Sequence, residues 1–256
     1  MIHPIKKPAI PLIRYFGKRK MGHDFTQPPI IIGGCARSGT TLLQSILSAH
    51  PSIFVFPHEI AAFNKWHTDK NGNQVPARID KLYRESLRYM VPDTATRWCT
   101  KAPSNVHHIK EILQYYNNQV KFLHLVRDIR DVVISKHPKN KDKYWVTPER
   151  WLKDIKAGLA FEDNPNVLTL RYEDLIQEFD TTVEKLCKFL EEPVCDKIKN
   201  WPKYTKLKKS SAIFGQIGPL HNNSIGKWKQ ELYKPYIDEL MGNQEIHTLL
   251  KHYGYL

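Results

Sequence analysis

One segment combines glycines, hydroxyls and a cation at a spacing suited to anion binding: Gly34-Cys35-Ala36-Arg37-Ser38-Gly39-Thr40-Thr41. Glycines let the backbone turn tightly, so that successive N–H groups converge on an anion at a helix N-terminus. The phosphate-loop spacing G-x-x-x-x-G-K-[ST] is met at Gly34, Gly39 and Thr41, with Thr40 where the lysine would stand. A nucleoside triphosphatase uses that lysine to neutralise the β- and γ-phosphates. Here the cation stands forward at Arg37, inside the turn. That suits a single phosphate with a neighbouring transferable group better than a triphosphate–Mg²⁺ chain. A second group lies downstream: Arg127 follows the apolar run Val120–Val126, and Ser135 comes eight positions later. An arginine fork at a strand end and a hydroxyl on the next helix are suited to grip one phosphate from two sides. Arg130 is alternatively placed for a helix-start ion pair with Asp128 or Asp131.

These groups need a frame that presents them on one edge. Ile30-Ile31-Ile32, bounded by Gly33-Gly34, has the pattern of a buried parallel strand, and Leu42, Leu43, Ile46 and Leu47 recur at helical spacing after it. Further strands are expected at Ile53–Phe56, Arg97–Thr100, Val120–Val126 and Val167–Leu170. Helices are expected at Ile79–Met90, Val106–Tyr116, from Asp131, at Trp151–Phe161 and at Leu175–Leu190. Alternation of this kind implies one α/β domain over 29–256, with a central parallel sheet and helices on both faces. With the phosphate loop after the first strand, the arrangement is P-loop-like and three-layered. Residues 1–28, with six Lys/Arg and four prolines, read as an irregular basic arm, and a long loop is expected around 204–223.

Composition bounds the rest. The 256 residues carry 39 Lys+Arg against 26 Asp+Glu, a net charge of +13, which predicts affinity for something anionic. The basic residues are dispersed and no helix-turn-helix or aromatic RNA-binding pattern appears, so a nucleic-acid partner is not expected. No stretch approaches the roughly 18 apolar residues of a membrane span, so no stable membrane insertion is expected. Cys35, Cys99, Cys187 and Cys195 form no C-x-x-C pair, which argues against zinc or a disulfide framework and fits a cytoplasmic setting.

The segment Ala36–Leu42 resembles the 5′-phosphosulfate loop of sulfotransferases that use 3′-phosphoadenosine 5′-phosphosulfate (PAPS), most of all the tyrosylprotein and related bacterial branch. In that branch a His-Pro and then a glutamate follow, here His50-Pro51 and Glu59. Leu125–Ser135 resembles the family's 3′-phosphate motif, and Arg171–Leu175 its Y-E-D-L turn, where Tyr172 either touches the nucleotide or packs. Ser224-Ile225-Gly226-Lys227-Trp228 resembles the G-x-W segment that closes over the adenosine. The Arg-Lys-Gly that precedes it in some branches is His221-Asn222-Asn223 here, which leaves Lys227 as the segment's cation, with Lys208 and Lys209 as further candidates.

The resemblance implies sulfuryl transfer from PAPS to a hydroxyl or amine, without a metal. Arg37, Ser38, Gly39, Thr40 and Thr41 would hold the 5′ side, and Arg127, Ser135, Tyr172 and Lys227 the rest of the nucleotide. Glu59 is the expected general base, with His58 as its rival, and burial is expected to raise its basicity. Lys101, in Lys101-Ala102-Pro103, resembles the branch's K-x-P segment and would stabilise the leaving phosphate together with Arg37. A P-loop kinase or nucleoside triphosphatase is the alternative. The acceptor, whether small molecule, saccharide or peptide, is expected to meet residues 60–95 and 138–165, where Trp66, Tyr83, Tyr144 and Trp145 form either an aromatic wall or core.

Overall fold

The computed structural model describes residues 9–137, 140–207 and 222–256. In chain order its strands are β1 (Ile30–Gly34), β2 (Ile53–Val55), β3 (Trp66–Thr68), β4 (Gln74–Pro76), β5 (Arg97–Lys101), β6 (Lys121–Val126), β7 (Lys136–His137), β8 (Asn140–Tyr144) and β9 (Val167–Arg171). Five of them form one sheet in the order β2-β5-β1-β6-β9, every neighbouring pair parallel. The other four make two small antiparallel pairs, β3–β4 and β7–β8, which carried no clear alternation in the sequence.

The helices are α1 (Ala9–Asp24), α2 (Thr40–Ser48), α3 (Ile79–Arg88), α4 (Ile109–Tyr115), α5 (Ile129–Val133), α6 (Pro148–Leu159), α7 (Tyr172–Gln177) and α8 (Phe179–Leu190). They are followed by α9 (Asp196–Lys199), α10 (Trp201–Tyr204), α11 (Lys234–Met241) and α12 (Gln244–His252). Ile30 and Ile32 pack on one face of the sheet with Leu43, Ile46 and Leu186, whereas Ile31 packs on the other with Phe54, Ile112 and Phe122. Both faces are covered, which is why the strand reads as an unbroken apolar run rather than an alternation. A third cluster, with Val126, Val132, Trp151 and Ile246, lies beyond the carboxyl ends of β1 and β6.

The five sheet strands and the α/β class follow the sequence expectation, and four details depart from it. The helix expected from Asp131 starts at Ile129 and ends at Val133, so Ser135 lies past its end rather than on it. Residues 9–24 of the supposed irregular arm form a helix, α1. Leu12, Tyr15 and Phe16 face outward, so its apolar residues make no single inward stripe to be recognised. Contacts with α3 and with the residues just before α3 hold it instead: a Cβ on Gly17 would stand 2.3 Å from Cβ of Tyr83, and Arg14 Nη2 donates to Ala77 O at 3.2 Å. The expected helix Val106–Tyr116 is a 3₁₀ turn, Pro103–His108, running into α4. The expected Leu175–Leu190 helix is two, broken at Glu178.

His124, in the middle of β6, is wholly buried, with Nδ1 3.4 Å from Thr169 Oγ1. Burial pushes its pKa from 6.5 down to about 4. The unfolded chain takes up this proton near pH 6.5, the native chain only near pH 4. Stability from the neutral imidazole is therefore complete above about pH 6.5 and is lost as pH falls toward 4, by about 3 kcal/mol in all. Urea titrations across that window should show the loss, and His124→Gln should flatten it. An equally acid-sensitive variant would assign the loss to other groups.

Candidate active site

The chain leaves β1 at Gly34 and enters α2 through a turn in which Arg37 (φ 71°) and Gly39 (φ 87°) are left-handed. Alternation of this kind builds the backbone nests that receive anions. Glycine is required at 39 twice over, because a Cβ there would stand 2.3 Å from the Tyr172 ring. Arg37 Nε and Ser38 Oγ are buried and have no hydrogen-bond partner among the described residues. Thr40 and Thr41 begin α2 directly behind them. Burial, reinforced by the Arg127 charge, pushes the Arg37 guanidinium below its ordinary pKa. Two neighbouring cations with unsatisfied donors at a helix start make a site that an anion fits.

Arg127 leaves β6, the strand beside β1, and closes on this loop. Its Nη1 donates to Arg37 O at 2.9 Å and its Nη2 to Ser224 O at 2.5 Å, while the guanidinium lies 4.3 Å from the Tyr172 ring centre. Tyr172 Oη is 2.7 Å from Ser224 Oγ. The loop, the Leu125–Ser135 segment, the Y-E-D-L turn and the S-I-G-K-W segment thus converge on one place. Ser135 does not meet Arg127 here; its Oγ donates to Asp131 O at 2.9 Å, across the last turn of α5. Lys227 is exposed, and the segment is seated by other groups. Asp131 accepts from the Gly226 and Trp228 amides at 2.8 and 3.2 Å, and the Arg130 guanidinium lies 4.0 Å from the Trp228 ring centre. Of the two partners open to Arg130, Asp128 is the one it takes, with Nη2 2.7 Å from Oδ2.

On the other side of β1, Lys101 ends β5 opposite Ile32. Its Nζ donates to Glu59 Oε1 at 2.5 Å. The burial expected of Glu59 falls on its partner instead: the Lys101 side chain is 4 % exposed and the Glu59 side chain 45 %. A glutamate needs no apolar pocket where a buried ammonium already draws it in. Gln44 on α2 donates to Phe56 O at 2.7 Å and so fixes the segment that carries His58 and Glu59, both exposed. Lys101, Arg37 and Arg127 therefore leave the carboxyl ends of three neighbouring strands, β5, β1 and β6, where open α/β sheets bind ligands.

Gln44 and Ser224 have no role assigned from sequence, and Asp131 has only that of an alternative ion-pair partner for Arg130. Asp131 and Ser224 lie inside recognised motifs, but their partners, the Gly226 and Trp228 amides for Asp131 and the Arg127 and Tyr172 side chains for Ser224, are distant in the chain, and no spacing rule links them. Trp66 and Tyr83 pack on the sheet face that holds Ile31, and Trp145 packs with Val126 and Trp151. Tyr144 stacks on Tyr236, so the four aromatics form no single wall. Lys208, Lys209 and His221 lie outside the described residues. Among the described residues, no group of three or more His, Cys, Asp or Glu side chains is placed to hold a metal ion.

A family model described as the sulfotransferase family matches residues 28–196. The chain belongs to the sulfotransferase family. Among relatives of this sulfotransferase chain, Protein-tyrosine sulfotransferase A of Caenorhabditis elegans is 24 % identical over 205 residues, covering 69 % of this chain and 53 % of that protein. The chain spans between 32 % and 65 % of the length of the first curated relatives it matches. Among solved structures, the sulfotransferase domain from the curacin biosynthetic pathway superposes with a TM-score of 0.63 at 18 % identity, covering 91 % of this chain and 99 % of that domain. A mouse sulfotransferase complexed with PAP superposes at 0.54 with 15 % identity, covering 94 % of each chain. These likenesses establish the sulfotransferase fold. Among the described residues no helix is long and apolar enough to cross a membrane.

Proposed function

We propose that this chain moves a sulfuryl group from PAPS to a hydroxyl or amine of an acceptor. The bond from sulfur to the donor's 5′-phosphate oxygen breaks, a bond from sulfur to the acceptor atom forms, and Glu59 takes the acceptor's proton. The observation that carries the reading is the row of three cations at the ends of β5, β1 and β6, with Arg37 Nε and Ser38 Oγ buried and unpartnered among the described residues. When bound, PAPS supplies the transferable group and an anionic leaving group, adenosine 3′,5′-bisphosphate (PAP).

The chain's own groups then divide the work. Arg37, Ser38, the Gly39 amide, Thr40 and Thr41 hold the 5′ anion. Lys101, a buried point charge, stabilises negative charge that develops on the leaving oxygen. Arg127 takes the 3′-phosphate, with Lys227 at the rim and Tyr172 packed under Arg127. Positioning and charge stabilisation supply most of the acceleration, as in phosphoryl transfer. Glu59 is favoured over His58 as base on position: its bond to Lys101 holds the carboxylate at the carboxyl end of β5, beside the row of cations. The unpaired thiols of Cys35, Cys99, Cys187 and Cys195 support a cytoplasmic setting.

The kinase reading lacks two parts: Thr40 stands where the loop lysine belongs, and β6 runs into Arg127 where a magnesium-holding carboxylate would be needed. Thermal-shift titrations separate the two. PAP is expected to raise the melting temperature by several degrees at 100 times its Kd, with ATP–Mg²⁺ at equal concentration giving little. Stabilisation by ATP–Mg²⁺ alone would overturn the proposal. Incubation with PAPS and a panel of tyrosyl peptides, sugars and small alcohols or amines, read as a mass gain of one sulfo group, then identifies the acceptor class.

A further inference from the structure

The residues beyond the family match contribute a contact to the donor motif that no motif predicts. Tyr255 Oη donates to Glu173 Oε2 at 2.8 Å, and Glu173 Oε1 accepts from the Asp128 amide at 3.2 Å. The Asp128 carboxylate holds Arg130 through Nε at 3.0 Å and Nη2 at 2.7 Å. Arg130 Nη2 in turn donates to Tyr255 O at 2.9 Å. The four residues form a closed ring of hydrogen bonds, and Glu173, Asp128 and Arg130 are buried.

What the ring encloses gives it consequence. The peptide unit joining Arg127 to Asp128 is gripped from both sides: its N–H by Glu173, and its C=O by Trp151 Nε1 at 3.1 Å. That peptide fixes the direction in which the Arg127 side chain leaves β6. On the same ring, Arg130 carries the Trp228 ring on its guanidinium face. The Arg171 guanidinium lies 4.6 Å from the Tyr255 ring centre and steadies the tyrosine itself. Burial, with the Glu173 charge beside it, pushes the phenol well above an ordinary tyrosine, so it stays a donor at working pH.

We propose that Tyr255 is a positioning residue: through Glu173, Asp128 and Arg130 it sets the aim of Arg127 and the seat of Trp228 for the nucleotide. The inference rests on the function proposed above, and its first readout is independent of that function. In the ligand-free protein, Tyr255→Phe removes one bond to a buried carboxylate, keeps the ring under Arg171, and should speed hydrogen exchange at the Asp128 amide about tenfold. In the second readout, the Kd for PAP and the KM for PAPS should rise about tenfold, while kcat at saturating donor and the acceptor KM stay within about twofold.

Glu173→Gln, which retains an acceptor for the Asp128 amide, should restore most of the affinity lost in Glu173→Ala. The double variant Tyr255→Phe/Glu173→Ala should bind PAP no more weakly than Glu173→Ala alone. Wild-type exchange at Asp128 in Tyr255→Phe, or losses that multiply in the double variant, would overturn the ring. Faster exchange in a protein whose wild type does not bind PAP would leave the ring standing and remove the donor assignment instead.

Discussion

Arg37→Ala is expected to lower kcat/KM for PAPS by about a thousandfold and to weaken PAP binding by one to two orders of magnitude, on the order of what a charge-assisted fork on a reacting anion supplies. The position explains the size. Arg37 is the cation inside the loop, its Nε is buried without a partner among the described residues, and Arg127 donates to its carbonyl. Two like charges held together in a half-buried place are costly, and a bound anion relieves that cost. The same repulsion predicts a signature in the ligand-free protein. Arg37→Ala should leave the melting temperature unchanged or raise it, while losing most of the PAP-induced shift. Arg37→Lys should recover part of the binding and little of the rate, since an ammonium supplies charge without the planar fork. Calorimetric titration with PAP decides the matter: wild-type affinity in Arg37→Ala would remove the loop from the donor site.

How much of this was legible in the sequence follows from the range of the interactions. β1, the loop and α2 are contiguous, so their pattern of apolar run, glycines and helical spacing stood in one window. Placing Lys101, Arg37 and Arg127 on one edge needed only the rule that parallel strands present their carboxyl ends together. The helix α1 was not legible, because what holds it is the approach of Gly17 to Tyr83, sixty-six residues away. The partner of Asp131 was missed for the same reason: it lies in the amides of Gly226 and Trp228, which sequence treats as featureless backbone. The burial expected of Glu59 falls on Lys101 instead, an inversion that spacing does not reveal, because it places a residue at a strand end without saying which member of a pair faces inward.

That inversion shapes the other large effect. Glu59→Gln should lower kcat by about 10²–10⁴, the range of a lost general base, while changing PAP affinity by less than about threefold. The 2.5 Å bond to Lys101 offers a competing explanation for the same loss, namely that Glu59 serves only to hold the buried ammonium in place. The two explanations part in the pH profile and in the double variant. A base leaves its protonation as the acid limb of the kcat profile, so that limb should vanish in Glu59→Gln and persist in Lys101→Met, which loses leaving-group stabilisation but keeps the carboxylate. Acceptors with a less acidic proton should suffer more from Glu59→Gln than acidic ones, because they depend more on the carboxylate to take it. If Glu59 merely holds the lysine, both variants should share one profile and the double variant should be no slower than Lys101→Met. Separate limbs with multiplied losses would fix Glu59 as the proton acceptor and Lys101 as the charge that follows the departing phosphate.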